Sequence, residues 1–197
     1  PGFLSKIFYI TEDFEGAAVS IKNYASGISA FYPNYDENLL NGLLSDFDID
    51  INRKFTSLSL GQRKRAILCI ALAMNTEYLL LDEPTNGLDI PAKAEFRKMV
   101  AKAMDDDRTI IISTHQVKDV ENLLDHIMIL DKRCVLLDKS VADIQNEYMF
   151  DVTMHCPQDA LYCEEGLGGY CSISRNQSGE ESRINIELLF NYINSKK

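Results

Sequence analysis

The chain has 197 residues, of which 46% are hydrophobic and 25% charged, and its net charge is −10. This length allows one or two domains with a buried core. The negative balance, with no basic cluster longer than Arg63-Lys64-Arg65, argues against nucleic acid as the main partner, because such binding works by neutralising phosphates.

No window reaches the roughly 18 uninterrupted apolar residues that a membrane span needs. The first residues lack the basic-then-apolar layout of a secretory signal. Of the five cysteines, Cys69 and Cys134 sit in apolar runs and read as small core residues. His155-Cys156, Cys163 and Cys171 do not follow metal-ligand spacing, so reduced thiols of a cytosolic chain are expected.

In chain order, residues 6–13 (KIFYITED) read as a short strand entering an acidic turn. Val19, Tyr24, Ile28 and Phe31 lie near helical spacing within 17–31, until Pro33-Asn34 breaks it. Leu39, Leu40, Leu43, Leu44 and Phe47 mark an amphipathic helix that Asp36 can cap. A helix over 61–75 follows Ser59, a good N-cap, and is nearly all apolar after Arg65, so it is expected to be buried.

The run Tyr78 to Leu81 predicts a strand buried on both faces, ended by Pro84. Two acids, Asp82 and Glu83, therefore stand at its carboxyl end, the edge where open α/β sheets bind ligands. Paired acids there suit a divalent metal and an activated water. Asn86-Gly87 makes a tight turn, Asp89 closes it, and Pro91 sits where a helix can start. That helix carries Phe96, Met99, Val100 and Ala103, with Asp105-Asp106-Asp107 as its solvated end. Thr109 to Thr114 (TIIIST) is a second buried run that ends at His115. A short helix over 117–125, a hairpin around 131–133 and a helix over 140–148 with Ser140 as cap come next. From Phe150 the composition changes, and a strand over 184–186 and a terminal helix over 187–193 are expected.

Leu58-Ser59-Leu60-Gly61-Gln62, the segment YLLLDE, Gly87-Leu88-Asp89 and His115 stand in an order and spacing that resemble the ATP-binding cassette (ABC) ATPases. LSLGQ is similar to the signature LSGGQ with Leu60 in place of a glycine. YLLLDE is similar to Walker B, Gly87-Leu88-Asp89 to the D-loop, and His115 to the switch histidine. The resemblance covers roughly residues 7–140. It implies an α/β fold: a partial P-loop NTPase core with a mostly parallel sheet, a helical subdomain before the signature, and a small C-terminal α+β appendix. The expected division is 1–14, the end of the N-terminal core; 15–57, the helical subdomain; 58–149, the ATPase core; and 150–197, the appendix.

The resemblance also implies roles. Asp82 would hold Mg²⁺ and Glu83 would be the general base for the attacking water. His115 would sense the γ-phosphate. Ser59, Leu60, Gly61 and Gln62 would clamp ATP held by a second subunit, and Asp89 would couple the two sites. Glu12 occupies the Q-loop glutamine position, so it would contact both metal and nucleotide. The implied cofactors are ATP and Mg²⁺. The implied partners are a second ATPase subunit, as homodimer or heterodimer, and an integral membrane permease subunit, met at the cytoplasmic face of the cell membrane. Tyr24, Phe31, Tyr32 and Tyr35 are candidates for the docking surface.

The segments IFYITED and YPNYDENLLNGLL resemble bacterial exporter cassettes. None of the ten glycines is followed by lysine, so no GxxxxGK[ST] phosphate loop occurs. The expectation is the C-terminal portion of a cassette, inefficient at hydrolysis alone. A non-transport cassette protein of the translation-factor type and a catalytically inactive interaction module remain alternatives. A chromosome-maintenance ATPase head would need coiled-coil heptads beside the signature, and none are present.

Overall fold

The computed structural model describes residues 2–104 and 107–196. The chain divides into two units, Pro1–Asp119 and Val120–Lys197.

The first unit opens with strand β1, Ile7–Ile10. Helix α1, Ile21–Ser29, begins where the Ser20 hydroxyl accepts the Asn23 N–H, four residues later than helical spacing alone suggested. Helix α2, Glu37–Asp46, is capped by Asp36 as expected, and it buries Leu40, Leu43 and Leu44. Helix α3, Leu60–Ala73, buries every residue from Ala66 to Ala73. It packs against α2, β1 and the helix over Ile90–Ala103. This explains its apolar character on all sides. Burial pushes the Cys69 thiol inside it up to about 12. Strand β2, Tyr78–Asp82, α4, Ile90–Ala103, and strand β3, Thr109–Ser113, complete the unit.

The three strands form a parallel sheet in the order β1-β2-β3, with Ile10 opposite Leu81 and Asp82 opposite Ser113. Parallel register sets the three carboxyl ends side by side. The expected two-sided burial of β2 and β3 does not hold. Leu79 and Leu81 are buried, but Tyr78 and Ile111 are exposed, as is Tyr9 on β1. Helix α3 covers one face of the sheet; among the described residues of this unit nothing covers the row that includes Tyr9 and Ile111.

Two single-turn 3-10 segments, Val117–Asp119 and Glu121–Leu123, stand where one short helix was expected. Of the acidic triplet, Asp105 and Asp106 lie outside the described residues.

The second unit holds the expected hairpin, β4 (His126–Asp131) with β5 (Cys134–Ser140). Lys132 and Arg133 make its turn, both at positive φ. Cys134 is exposed, not a core residue. Helix α5, Val141–Glu147, is capped by Ser140. Strands β6 (Tyr148–Thr153), β7 (Tyr162–Gly166) and β8 (Gly169–Arg175) form an antiparallel sheet in the order β6-β8-β7. Helix α6, Ile186–Ser195, packs on β8 and sets Tyr192 against the rings of Tyr148 and Tyr162. The strand expected over 184–186 is absent, because Asn185 is the cap of α6. Cys156 and Cys163 are joined as a disulfide, with Cα atoms 6.1 Å apart, where free thiols were expected.

Glu147 ends α5 between Lys139 and Arg175. Burial pushes its carboxyl up, but hydrogen bonds from Lys139, Tyr148 and Arg175 outweigh that and hold it at about 2. A carboxylate depressed in the folded state adds stability above its unfolded pKa and loses it as pH falls through the folded one. The advantage of wild type over Glu147→Gln in thermal unfolding is therefore present above about pH 4.5 and fades toward about pH 2. An advantage that stayed constant over that window would show that the three donors do not act through the charge.

Candidate nucleotide site

Three loops leave the carboxyl edge of the parallel sheet, and the site residues stand on them. β2 is an apolar strand that Pro84 must end, since proline has no N–H for the ladder. One residue earlier the backbone already turns. Glu83 has φ +42, in the left-handed region that side chains rarely adopt, yet its N–H still donates to the Ser113 carbonyl at 2.9 Å. Such an outlier is common at functional sites.

Asp82 accepts a hydrogen bond from the Ser113 hydroxyl at 2.6 Å and from the Tyr9 hydroxyl at 3.3 Å. Partial desolvation and the Asp82 carboxylate raise the Tyr9 phenol. Glu83 accepts from the Thr114 hydroxyl at 2.9 Å, from the His115 N–H at 2.9 Å and from His115 Nδ1 at 2.7 Å. Its side chain is largely covered, whereas the His115 ring is mostly exposed. The two residues singled out separately by sequence are thus one hydrogen-bonded pair.

Glu12, after β1, reaches the same edge, where its Oε1 accepts from Asn86 Nδ2. Asn86 lies in the turn whose Gly87 has φ +73. Asp89 caps α4 by accepting from the Ala92 N–H at 3.0 Å, so its side chain is occupied within the chain.

The start of α3 flanks this turn. Ser59 and Gln62 form a capping box, each side chain accepting from the other's backbone N–H at 3.2 Å. A Cβ added at Gly61 would meet Ala92 and Leu88 at 3.8 and 3.9 Å, an ordinary contact. Glycine there is not demanded by the chain's own packing. Leu60 is half-exposed and lies on Gly87. Lys64, one turn on, donates to the Glu83 carbonyl at 3.2 Å and the Asn86 carbonyl at 2.7 Å. Burial lowers its pKa, against the opposing pull of Glu12, Glu83 and Asp13.

Asp82, Glu83, His115 and Glu12 therefore meet at one edge, with the Ser59–Gln62 segment beside them and Asp89 at the head of α4. Sequence reasoning missed Ser113 and Thr114, which a comparison of the two strand ends could have found, since they immediately precede His115. It also missed Lys64 and Gln116, for which the sequence offers no local signal.

Among the described residues no group of three or more His, Cys, Asp or Glu could hold a metal unaided. This donor set fits Mg²⁺, which takes one or two carboxylates and fills its remaining positions with water and substrate phosphates.

Residues 25–86 match the family model described as ABC transporter. The chain is 41% identical over 111 residues to the energy-coupling factor transporter ATP-binding protein EcfA2 of Enterococcus faecalis, covering 55% of this chain and 38% of that protein. It is 37% identical over 92 residues to the thiamine import ATP-binding protein ThiQ of a Jannaschia species, covering 46% of this chain and 40% of that one. The chain spans about two fifths of the length of these curated relatives. A solved structure of an ATP-binding subunit of an ABC transporter shares the fold, with TM-score 0.64 and 20% identity over 73% of this chain and 62% of that one. The segments that resemble the signature, Walker B, D-loop and switch histidine converge on one sheet edge in a fold shared with such subunits, and over residues 25–86 the chain is similar to the ATP-binding cassette family.

Proposed function

We propose that the complete protein hydrolyses Mg-ATP at the edge formed by Asp82, Glu83 and His115, as the ATP-binding subunit of an ABC transporter. The observation that carries this reading is the Glu83–His115 pair, set one residue beyond Asp82 and its Ser113 partner. Asp82 would hold Mg²⁺, with Glu12 beside it. When bound, the ion neutralises charge on the phosphates being cleaved.

Glu83 takes the proton of the attacking water, while Thr114 and His115 fix the carboxylate in place. His115 donates from Nδ1 to Glu83, and as the imidazolium it would also donate from Nε2 to a phosphate oxygen. The Ser59–Gln62 segment clamps nucleotide held by a second subunit. Its capping box already uses the Ser59 hydroxyl and the Gln62 amide, so the clamp works chiefly through the first backbone N–H groups of α3, which a helix leaves without internal partners. The room around Gly61 supports a close approach from outside the chain. Asp89 transmits between the two sites through its hold on α4.

In this reading residues 15–57 are a helical lobe, 58–149 the core and 150–197 an appendix. Phe31 and Leu4 are exposed beside Tyr9, Ile28 and Tyr32 in one groove, which offers an apolar surface to the integral membrane partner at the cytoplasmic face. Tyr24 is mostly spent on core packing against Phe14 and Phe55. Among the described residues no helix is long and apolar enough to cross a membrane, so anchoring would come from that partner. The exporter direction rests on the β1 and 32–44 segments alone; ThiQ is named for import. Without a phosphate loop among them, these 197 residues alone turn over ATP poorly.

The test is the metal dependence of nucleotide binding. Asp82→Asn in the complete ATPase raises the Mg²⁺ concentration needed for half-maximal ATP binding by about tenfold or more. An unchanged Mg²⁺ requirement would remove Asp82 from the site.

A further inference from the structure

The three loops at the carboxyl edge are tied by a relay of side chains of which the functional reading uses only Glu12. Glu12, after β1, accepts from Asn86 Nδ2. Asn86, after β2, accepts on Oδ1 from Gln116 Nε2 at 3.2 Å. Gln116, next to His115, accepts on Oε1 from Lys93 Nζ at 3.0 Å. Lys93, on α4, closes the relay with Asp119 at 2.6 Å. The Asn86 carbonyl is held in addition by Lys64 of α3.

Asn86 is the pivot because its side chain must donate on one side and accept on the other. A carboxamide does both at one fixed spacing. Aspartate, the same size, can only accept when ionised, and it would face the Glu12 carboxylate. An acid at position 12 is thus complemented by an amide at position 86.

We propose that Asn86 is a positioning residue that fixes the Glu12, Glu83 and His115 loops relative to one another, with Glu12 retained as its acceptor. That the positioned loops serve ATP hydrolysis rests on the reading above. The relay itself does not, so it is tested on the full 197-residue chain without nucleotide.

The variants are Asn86→Asp, Glu12→Gln and the two combined. Asn86→Asp lowers the thermal midpoint by about 3–8 °C at neutral pH, since it leaves a covered acceptor unmatched and adds a like charge. Glu12→Gln alone is mild, because the new side-chain carbonyl still accepts from Asn86. The double variant recovers at least half of the Asn86→Asp loss, because the amide introduced at position 12 then donates to the carboxylate introduced at position 86.

A second readout is the imidazole signal of His115, one of three histidines in the chain. It shifts in Asn86→Asp and returns in the double variant, while those of His126 and His155 stay in place. A double variant no more stable than Asn86→Asp, or a His115 signal indifferent to position 86, would each overturn the proposal. If the rescue holds and Asp82→Asn leaves Mg²⁺-dependent binding unchanged, the relay stands and the nucleotide reading fails.

Discussion

On the proposed function, changing Glu83 to Gln in the complete protein lowers ATP turnover by about 100- to 10,000-fold while Mg-ATP still binds. The two side chains have the same shape. Gln can keep one oxygen toward the Thr114 hydroxyl or the His115 N–H, so the loop is expected to stay in place. What it loses is the ability to take a proton, and its amide nitrogen cannot accept from His115 Nδ1, which the carboxylate does at 2.7 Å. Steady-state hydrolysis and equilibrium nucleotide binding, measured side by side, separate the two effects. His115→Ala should lose less, because it removes only one of the groups that hold the carboxylate. A Gln variant that kept most of its turnover would place the base elsewhere on the edge.

The second large effect belongs to the helical lobe. Phe55 is fully buried and makes edge-on ring contacts with Phe14 and Tyr24, at 5.3 and 5.4 Å between centroids. Gly16 lies flat on it at φ +77; a Cβ there would sit 2.4 Å from Phe55 Cβ. Nearby, Ile21 and Lys22 donate backbone hydrogen bonds to Arg53 and Ile51. Phe55 therefore joins the chain after β1 to the approach to the signature.

Phe55→Ala is expected to destabilise the protein by about 3–5 kcal/mol, from lost burial and the cavity left behind. Against a total of about 5–15 kcal/mol this is a large fraction. Phe55→Leu should cost much less, because it keeps most of the volume and loses the ring contacts, each of which contributes about 0.5–1.5 kcal/mol. Urea unfolding of the two variants gives both numbers. An alanine variant no weaker than the leucine one would mean the lobe collapses around the gap.

What was legible in the sequence was local. Asp36, Ser59 and Ser140 all cap helices as expected, because a cap acts within three residues of itself. The β2 strand and its acidic end were readable from one apolar run and one proline. The two-sided burial was not, since an apolar run does not reveal how many faces are covered, and Tyr78 and Ile111 proved exposed. Strands β6 to β8 were missed because glycines, cysteines and charges interrupt their alternation, and only Tyr148, Phe150, Ser172 and Ile173 carry their buried side deeply. At the site, the acids and His115 were found by motif. Their partners were not: Asn86 meets Glu12 across 74 positions and Tyr9 meets Asp82 across 73, distances over which no periodicity speaks.

The contact between Leu60 and Gly87 gives the one departure from the signature a meaning. The leucine stands where a glycine would leave a gap, and the glycine opposite has no side chain, so knob and notch fit: a Cβ on Gly87 would come within 2.9 Å of Leu60 Cδ2. The head of α3 and the turn are therefore keyed together within the chain. A displacement of the turn that carries Asn86 and Asp89 must carry the head of α3 with it or unseat the leucine. The chain behaves there as one gear tooth: neither segment shifts without the other.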